Sequence, residues 1–420
     1  MQDSPSQGAG QTAQGIDYAW WVLAGLFLLY TATNGILLNT LPLMYPSLTA
    51  EFGWNEEQVT RPAALFMLFN AALNPVLGAL CDRFPARRIM VFGVAVIVSS
   101  LLVFAYISSL TQMTVVYLVC SVGLAACGLV PNMLILSRWF VARRGVAVGI
   151  LLMGSSLGGA LFPLIVRPTL VEDGWRAAVT LIVLVGGAMM ALGLLLVRNQ
   201  RPGSDATAVA AQPVATGGLT LGQAARMPAF YILMLATGTV WFCITGTLQH
   251  QSIFLGQDLG VPTAKLPVIF SVFFWCAIIG KVLFGWLGDR FNKVWILLLS
   301  VLNMMVGIIL LRNADPNADV TLYGYAMVYG VGFAGAFSAI QLVLAEFYAG
   351  AAYGRILGVF VMVDSWAGAA GVWAMGARRV AEDSYIPALN TLIGLLVAVS
   401  VLVLILKRYE PRSPAALPAS

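Results

Sequence analysis

The sequence predicts an all-α membrane protein: twelve transmembrane helices forming two pseudo-symmetric six-helix bundles, with both termini in the cytoplasm. Three observations predict it. Of 420 residues, 60% are hydrophobic and 10% charged, against roughly 45–50% and about 25% in soluble domains. The apolar residues gather into twelve stretches long enough to cross a bilayer. The second half of the chain repeats motifs of the first.

Composition excludes most function classes. A soluble globule of this length needs a charged surface, and 23 basic with 18 acidic side chains cannot supply one, so soluble enzymes, disordered scaffolds and secreted disulfide domains are ruled out. The net charge of +5 signals topology rather than nucleic-acid binding. Cys81, Cys120, Cys127, Cys243 and Cys276 are scattered, without metal-ligand or CxxC spacing, so free thiols and no bound metal are expected. No Lys or Arg precedes the first apolar run, unlike a cleaved signal peptide.

A spanning helix needs about 20 apolar residues. The windows that meet this are 18–45, 59–80, 88–107, 112–138, 145–167, 175–197, 228–255, 264–287, 294–312, 319–347, 355–375 and 384–407. They divide the chain into a tail (1–17), an N-terminal bundle (18–197), a linker (198–227), a C-terminal bundle (228–407) and a second tail (408–420). The linker is rich in Ala, Gly, Pro and Thr and has no apolar run, as a connection between two halves should be. An even number of spans puts both termini on one face. Fifteen of the 23 basic residues fall on that face, seven on the other, and Lys281 lies within a span. The positive-inside rule makes the terminal face cytoplasmic.

The internal repeat has two anchors. GALCDRF at 78–84 recurs as GWLGDRF at 285–291, an offset of 207, each closing the second window of its half. Gly145 and Gly149 recur as Gly354 and Gly358 at an offset of 209. Two matches at nearly one offset indicate a duplicated six-helix unit. Folds of this kind bind cargo near the midplane, where the repeats meet, and rock one repeat against the other.

The segment GALCDRFPARR resembles the loop between helices 2 and 3 of the major facilitator superfamily. Gly78, Leu80, Asp82, Arg83, Arg87 and Arg88 match that pattern, while Pro85 replaces a usual Gly and Ala86 a frequent basic residue. Gly285, Asp289 and Arg290 form its second copy. The resemblance implies a secondary active transporter working by alternating access, and a gating role for these eight residues: Gly78, Asp82, Arg83, Arg87, Arg88, Gly285, Asp289 and Arg290. Physically, a carboxylate such as Asp82 can hold nearby arginines or cap a neighbouring helix. Contacts made in one state only bias a two-state equilibrium. The competing reading is that the arginines merely fix topology.

RWFVARRGVAVG (138–149), FGW (52–54) and GWR (174–176) are similar to the monocarboxylate porter and oxalate/formate antiporter branches. Lys281 stands where those branches tend to carry an arginine. This implies a small carboxylate as cargo, moved with a proton or by exchange. Asp364 stands where the oxalate exchangers have a lysine. Two cations suit a dianion and a cation with an acid does not, so a monocarboxylate is expected.

Lys281 and Asp364 are the ionisable side chains lying deepest in the windows. A charge at the bilayer centre costs about 2.5–3.5 kcal/mol on insertion scales, so each needs a partner or a task. Counting from the cytoplasmic ends of their windows puts Lys281 roughly 10 Å and Asp364 roughly 15 Å deep, close enough for a lysine stem to bridge. The expectation is that Lys281 binds the cargo carboxylate. Asp364 would hold Lys281 in the empty site and take up a proton when cargo displaces it, since a carboxylate stripped of its cation partner in a low-dielectric cavity protonates readily. A static ion pair between the eighth and eleventh helices is the competing reading. Offset 207 maps Lys281 onto Asn74, and offset 209 maps Asp364 onto Ser155, so charges in one half face neutral polar groups in the other.

Asn34, Asn132 and Gln341 join Asn74 as candidate cargo ligands, or as hydrogen bonds between helices. His250, the one histidine, is a candidate proton relay beside the stripe Thr237, Trp241, Thr245, Gln249. Tyr325 and Tyr329 share a face and read as packing, as do Gly154, Gly158, Gly159, Gly368 and Gly371. No P-loop follows any glycine run, so no nucleotide or other cofactor is expected. The expected partners are a small organic anion, protons and the lipid bilayer. No nucleic-acid partner is expected, and a monomer in a bacterial inner membrane is. Alternative cargoes on the same fold are drugs or other hydrophobic compounds, or sugars. An intramembrane enzyme would need a Ser/His, paired-Asp or HExxH set, which this chain does not offer.

Overall fold

The computed structural model describes residues 9–140, 143–199, 219–262, 265–350 and 352–410. Most of the expected linker, residues 1–8 of the N-terminal tail, the C-terminal tail beyond 410, and Val141 and Ala142 of the 138–149 segment lie outside the described residues. Among the described residues, twelve helices are long and apolar enough to cross a membrane: α1 (Tyr18–Phe52), α2 (Gln58–Arg83), α3 (Ala86–Phe104), α4 (Leu110–Trp139), α5 (Arg144–Glu172), α6 (Trp175–Leu196), α7 (Pro228–Asp258), α8 (Val268–Arg290), α9 (Lys293–Arg312), α10 (Asp319–Tyr348), α11 (Tyr353–Glu382) and α12 (Ile386–Tyr409). The chain divides into two units, Met1–Gly217 and Gly218–Ser420. Below, the near end of each unit is the end at which its first helix begins, and the far end is the opposite one.

Helix starts follow from local sequence. Asn55 and Gln58 form a reciprocal capping box before α2, with Gln58 N–H donating to Asn55 Oδ1 at 2.8 Å and Asn55 N–H to Gln58 Oε1 at 3.0 Å. Ser109 caps α4, and Asn292 caps α9 through the N–H groups of Val294 and Trp295. Pro228 opens α7, where its missing N–H would have no helical partner.

Several spans are irregular, and each irregularity has a side-chain remedy. α1 passes from α-helix into a π-turn at Gly35–Thr40 and a short 3-10 stretch at Leu41–Met44. Pro42 removes a donor and crowds the preceding turn. At the π-turn Thr40 Oγ1 donates to the Gly35 carbonyl at 2.8 Å, and Asn39 Nδ2 to that of Asn34 at 3.1 Å. α4 breaks at Gly128, whose backbone is extended. Asn132 Nδ2 donates to the carbonyls of Cys127 (2.7 Å) and Gly128 (2.6 Å) and closes the gap.

The two units repeat one packing scheme. In the first, α1 packs on α5 and α6, α2 on α4, and α3 on α4 and α6. In the second, α7 packs on α11 and α12, α8 on α10, and α9 on α10 and α12. Adding six to each number converts one scheme into the other, which is the duplication that the sequence repeat indicates.

Glycines set the closest crossings. A methyl on Gly158 of α5 would lie 2.2 Å from the Thr31 carbonyl oxygen of α1, and one on Gly371 of α11 would lie 2.2 Å from the Phe242 carbonyl oxygen of α7. Helices α1, α5, α7 and α11 also overrun their apolar windows at the far end. The added turns carry polar partners. Glu51 accepts from Trp175 Nε1 (2.6 Å) and pairs with Arg176 (2.7 Å), while Arg379 pairs with Asp258 (3.1 Å) and Asp383 (2.7 Å). The first cluster joins FGW and GWR, with Phe52 stacked on Trp54 and edge-on to Trp175. All five cysteines are free thiols.

Gly158→Val and Gly371→Val should each destabilise the protein by about 1–3 kcal/mol through overpacking. Gly187→Ala, whose methyl would meet Val98 at an ordinary 3.7 Å, should not. Thermal unfolding of the detergent-purified variants reads the difference, and equal midpoints for all three would contradict the tight crossings.

Candidate functional site

Lys281 is 1% exposed, whereas Ile279 of the same helix is 61% exposed. The lysine therefore faces the helix bundle, and Ile279 faces the surroundings. A tight α8–α10 contact positions it. A methyl on Gly280 would sit 3.0 Å from the Val331 backbone, and Ser338 Oγ donates to the Lys281 carbonyl at 3.2 Å. The Lys281 ammonium lies 5.9 Å from the ring centre of Phe333 and 5.6 Å from that of Phe337. A desolvated amine on aromatic faces gains about 2 kcal/mol, enough to offset much of its insertion cost.

Asp364 is also buried, and its Oδ1 accepts a 2.8 Å hydrogen bond from Thr237 Oγ1 of α7. The α7–α11 crossing that aligns them is tight for the reason given above, and Thr245 Oγ1 secures it by donating to the Gly368 carbonyl at 2.7 Å.

The expected ion pair between Lys281 and Asp364 is not formed. Depth is not the obstacle: Lys281 is nine residues from the near end of α8 and Asp364 eleven from that of α11, roughly 14 and 17 Å. The obstacle is lateral. α8 belongs to the α8–α10 pair and α11 to the α7–α11 pair. The route from one charge to the other runs from Lys281 to Phe337, from Phe337 edge-on to Trp241 (5.1 Å between ring centres), and one turn down α7 to Thr237. Sequence reading missed Phe333 and Phe337 altogether and took Thr237 and Trp241 only as neighbours of His250. The spacing Phe333, Phe337, Gln341, every fourth residue on α10, is the signal that was available.

Asn34, Asn74, Asn132 and Gln341 are all buried. Three of these amides donate within their own helices: Asn34 to the Tyr30 carbonyl and Asn74 to that of Asn70, both at 2.8 Å, and Asn132 across the α4 break. Asn70 Nδ2 reaches from α2 to the Ser121 carbonyl of α4 at 3.0 Å. Asn132 therefore has a definite structural duty. Gln341 Oε1 is buried without a hydrogen-bond partner among the described residues.

His250 lies thirteen residues beyond Thr237 on α7, roughly 20 Å along the axis, so the structure does not bring it to Asp364. Its Nε2 is 2.9 Å from the Val372 carbonyl and its Nδ1 2.7 Å from the Tyr385 hydroxyl. A carbonyl only accepts, so the neutral ring carries its proton on Nε2 and accepts from Tyr385. Asp258 accepts from the Tyr385 N–H at 3.0 Å and pairs with Arg379. The histidine thus belongs to a far-end network joining α7, α11 and the start of α12.

At the near ends, Gly78 and Gly285 are buried, Asp82 and Asp289 half-buried, and Arg83, Arg88 and Arg290 exposed. Arg87 Nε and Nη2 both donate to the Leu194 carbonyl (3.3 and 3.2 Å), and its N–H donates to Asn199 Oδ1 (2.9 Å). A cation on the last carbonyls of α6 also complements that helix's dipole. Arg290 stacks over Trp286 at 4.2 Å. Lys293 pairs with Glu346 at 3.2 Å, joining α9 to α10.

Asn132→Leu should destabilise the protein by about 1–3 kcal/mol for each carbonyl stranded at the α4 break. Asn74→Leu frees one carbonyl within an unbroken helix and should cost less. Thermal unfolding compares them, and the reverse order would contradict the structural duty assigned to Asn132.

Comparison with known proteins agrees with this architecture. The sequence profile of the Major Facilitator Superfamily matches residues 22–371 and 251–420. The chain is 24% identical over 367 residues to the uncharacterized MFS-type transporter YcxA of Bacillus subtilis, covering 85% of this chain and 87% of that one. It is 26% identical over 379 residues to monocarboxylate transporter 13 of Bos taurus, covering 88% and 84%. Its fold is similar to the crystal structure of a bacterial homologue of the iron transporter ferroportin in an outward-facing state, with a TM-score of 0.74 and 12% identity, covering 93% of this chain and 99% of that one. With twelve membrane-crossing helices, two halves of like packing and a profile match along the chain, the protein belongs to the Major Facilitator Superfamily and is a membrane transporter rather than an enzyme.

Proposed function

We propose that the protein carries a small organic monoanion, a monocarboxylate, across the membrane by alternating access with a proton as co-substrate. The observation that supports this most is one buried cation and one buried carboxylate at similar depth in the C-terminal half, on separate helix pairs. Lys281 leaves the Phe333 and Phe337 rings for the cargo carboxylate, a stronger charge-assisted partner. Asp364 takes and releases the proton. Protonation removes a buried charge whose cost in an apolar environment is large, so the half can change state without carrying that charge unscreened. The absence of a Lys281–Asp364 pair separates cargo binding from proton binding in space, so coupling runs through the states of the transporter rather than through an exchange of partners at one site.

In this reading Gly78, Asp82, Arg83, Arg87, Arg88, Gly285, Asp289 and Arg290 form the near-end gating segments, and Asn34, Asn74, Asn132 and Gln341 contribute polar groups to the cargo path. His250 stays with its far-end network. The protein works as a monomer in a bacterial inner membrane, with its termini in the cytoplasm. The second reading, export of a hydrophobic compound, is favoured by one observation, the aromatic pair Trp241 and Phe337 beside the charges.

Uptake by protein reconstituted in liposomes, with acid outside, tests both. Labelled mono- and dicarboxylates are offered with a cationic dye and a sugar as controls. A monocarboxylate should accumulate with the gradient. Lys281→Met should weaken its half-saturation by about tenfold or more, the equivalent of one lost charge-assisted contact. Asp364→Asn, which can still accept from Thr237, should abolish gradient-driven accumulation while retaining counterflow exchange. Movement of the dye or sugar alone would overturn the anion reading.

A further inference from the structure

The groups surrounding Lys281 restrict what kind of monocarboxylate fits. The ammonium rests on two ring faces, and the second of those rings is packed edge-on against Trp241. Gln341 continues the same stripe of α10, one turn or roughly 6 Å beyond Phe337. It lies seven residues from the near end of its helix, roughly 11 Å deep and within about 3 Å of the level of Lys281. It is 2% exposed, and its Oε1 has no partner among the described residues. A buried acceptor left without a hydrogen bond is costly, which asks for a donor that the described residues do not supply.

Resting on the monocarboxylate reading above, we propose that the cargo is a 2-hydroxy monocarboxylate with an aromatic or similarly flat apolar body. The carboxylate takes Lys281. A planar body covers the ring faces from which the ammonium is drawn and stacks on the Phe337–Trp241 pair, where offset and edge-on contacts add to simple burial. The 2-hydroxyl, adjacent to the carboxylate, meets Gln341. A hydroxyl both donates and accepts, so it satisfies the amide whichever way its oxygen and nitrogen are turned. A 2-keto group can only accept. A 2-ammonium group would sit beside its own carboxylate, and therefore beside Lys281, where like charges repel. A second carboxylate would meet rings in place of a cation.

Uptake by wild-type protein in liposomes with acid outside tests this, with protein-free liposomes subtracted for passive leak. The probes are lactate, 3-phenylpropionate, 3-phenyllactate and phenylpyruvate. 3-Phenyllactate should half-saturate uptake at a concentration about tenfold or more below lactate and below 3-phenylpropionate, each step corresponding to about 1.4 kcal/mol. Phenylpyruvate should also half-saturate at a higher concentration than 3-phenyllactate. Phe337→Leu should bring the ratio of 3-phenyllactate to lactate toward one. Gln341→Leu should do the same for the ratio of 3-phenyllactate to 3-phenylpropionate, without altering the preference for an aromatic body. Equal half-saturation by lactate, 3-phenylpropionate and 3-phenyllactate, or a preference for lactate, overturns this inference and leaves the monocarboxylate carrier standing. Failure of all four acids to accumulate overturns the carrier reading itself. The wild-type series alone separates these outcomes if a variant is lost to misfolding.

Discussion

Inside a bilayer no water satisfies a stray N–H or carbonyl, so every backbone group must find its partner within the protein. Most of the detail described above answers to that constraint. Where α1 passes into its π-turn, Thr40 and Asn39 reach back to the carbonyls of Gly35 and Asn34. Where α4 breaks at Gly128, Asn132 supplies both missing hydrogen bonds. Polar side chains within the spans are therefore used first to keep irregular helices intact, and only what remains is available for transport. Lys281 and Asp364 are set apart from Asn34, Asn74 and Asn132 on this ground: their side chains reach groups on other helices, the rings of Phe333 and Phe337 for one and the Thr237 hydroxyl for the other.

The same shortage of alternatives explains how the charges are distributed. Helices can approach closely only where glycine leaves room, and the crossings at Gly158 and Gly371 bind α1 to α5 and α7 to α11. Each half is thereby assembled from helix pairs. Lys281 and Asp364 fall on different pairs of one half, each with a neutral partner of its own: aromatic faces for the amine, a hydroxyl for the carboxylate. Neither charge depends on the other for its burial, so a change at one site does not strand a bare charge at the other.

Much of the fold was legible because hydrophobic length is a local property of sequence. All twelve windows became helices. Their ends were less legible at the far side of α1, α5, α7 and α11, because an apolar window stops at the first charges while a helix continues wherever ion pairs such as Arg379–Asp258 support it. Lys281 and Asp364 were legible as rare charges in apolar runs, whereas their partners were not. Thr237 lies 127 residues from Asp364, and nothing in either segment announces the other. Phe333 and Phe337 were hidden for a different reason: in a chain with 21 phenylalanines, two more on a helix look like packing until a lysine is found lying on them. Depth along a helix can be counted from sequence, but lateral neighbourhood depends on which helices pair.

The repeated packing scheme has an evolutionary corollary. Because α2 and α4 stand to one another as α8 and α10 do, Asn74 occupies the position in its half that Lys281 occupies in the other. An asparagine codon becomes a lysine codon by a single base change, but the rings that receive Lys281 have no aromatic counterpart on α4, where Leu124 and Gly128 stand at the offset of 209. The neutral half thus keeps an amide where the other half bears a charge, and a lysine placed there would need new neighbours as well as a new codon. Gene duplication in this architecture supplied more than a second bundle. It left a second copy of the charge-bearing position, free to diverge from the first.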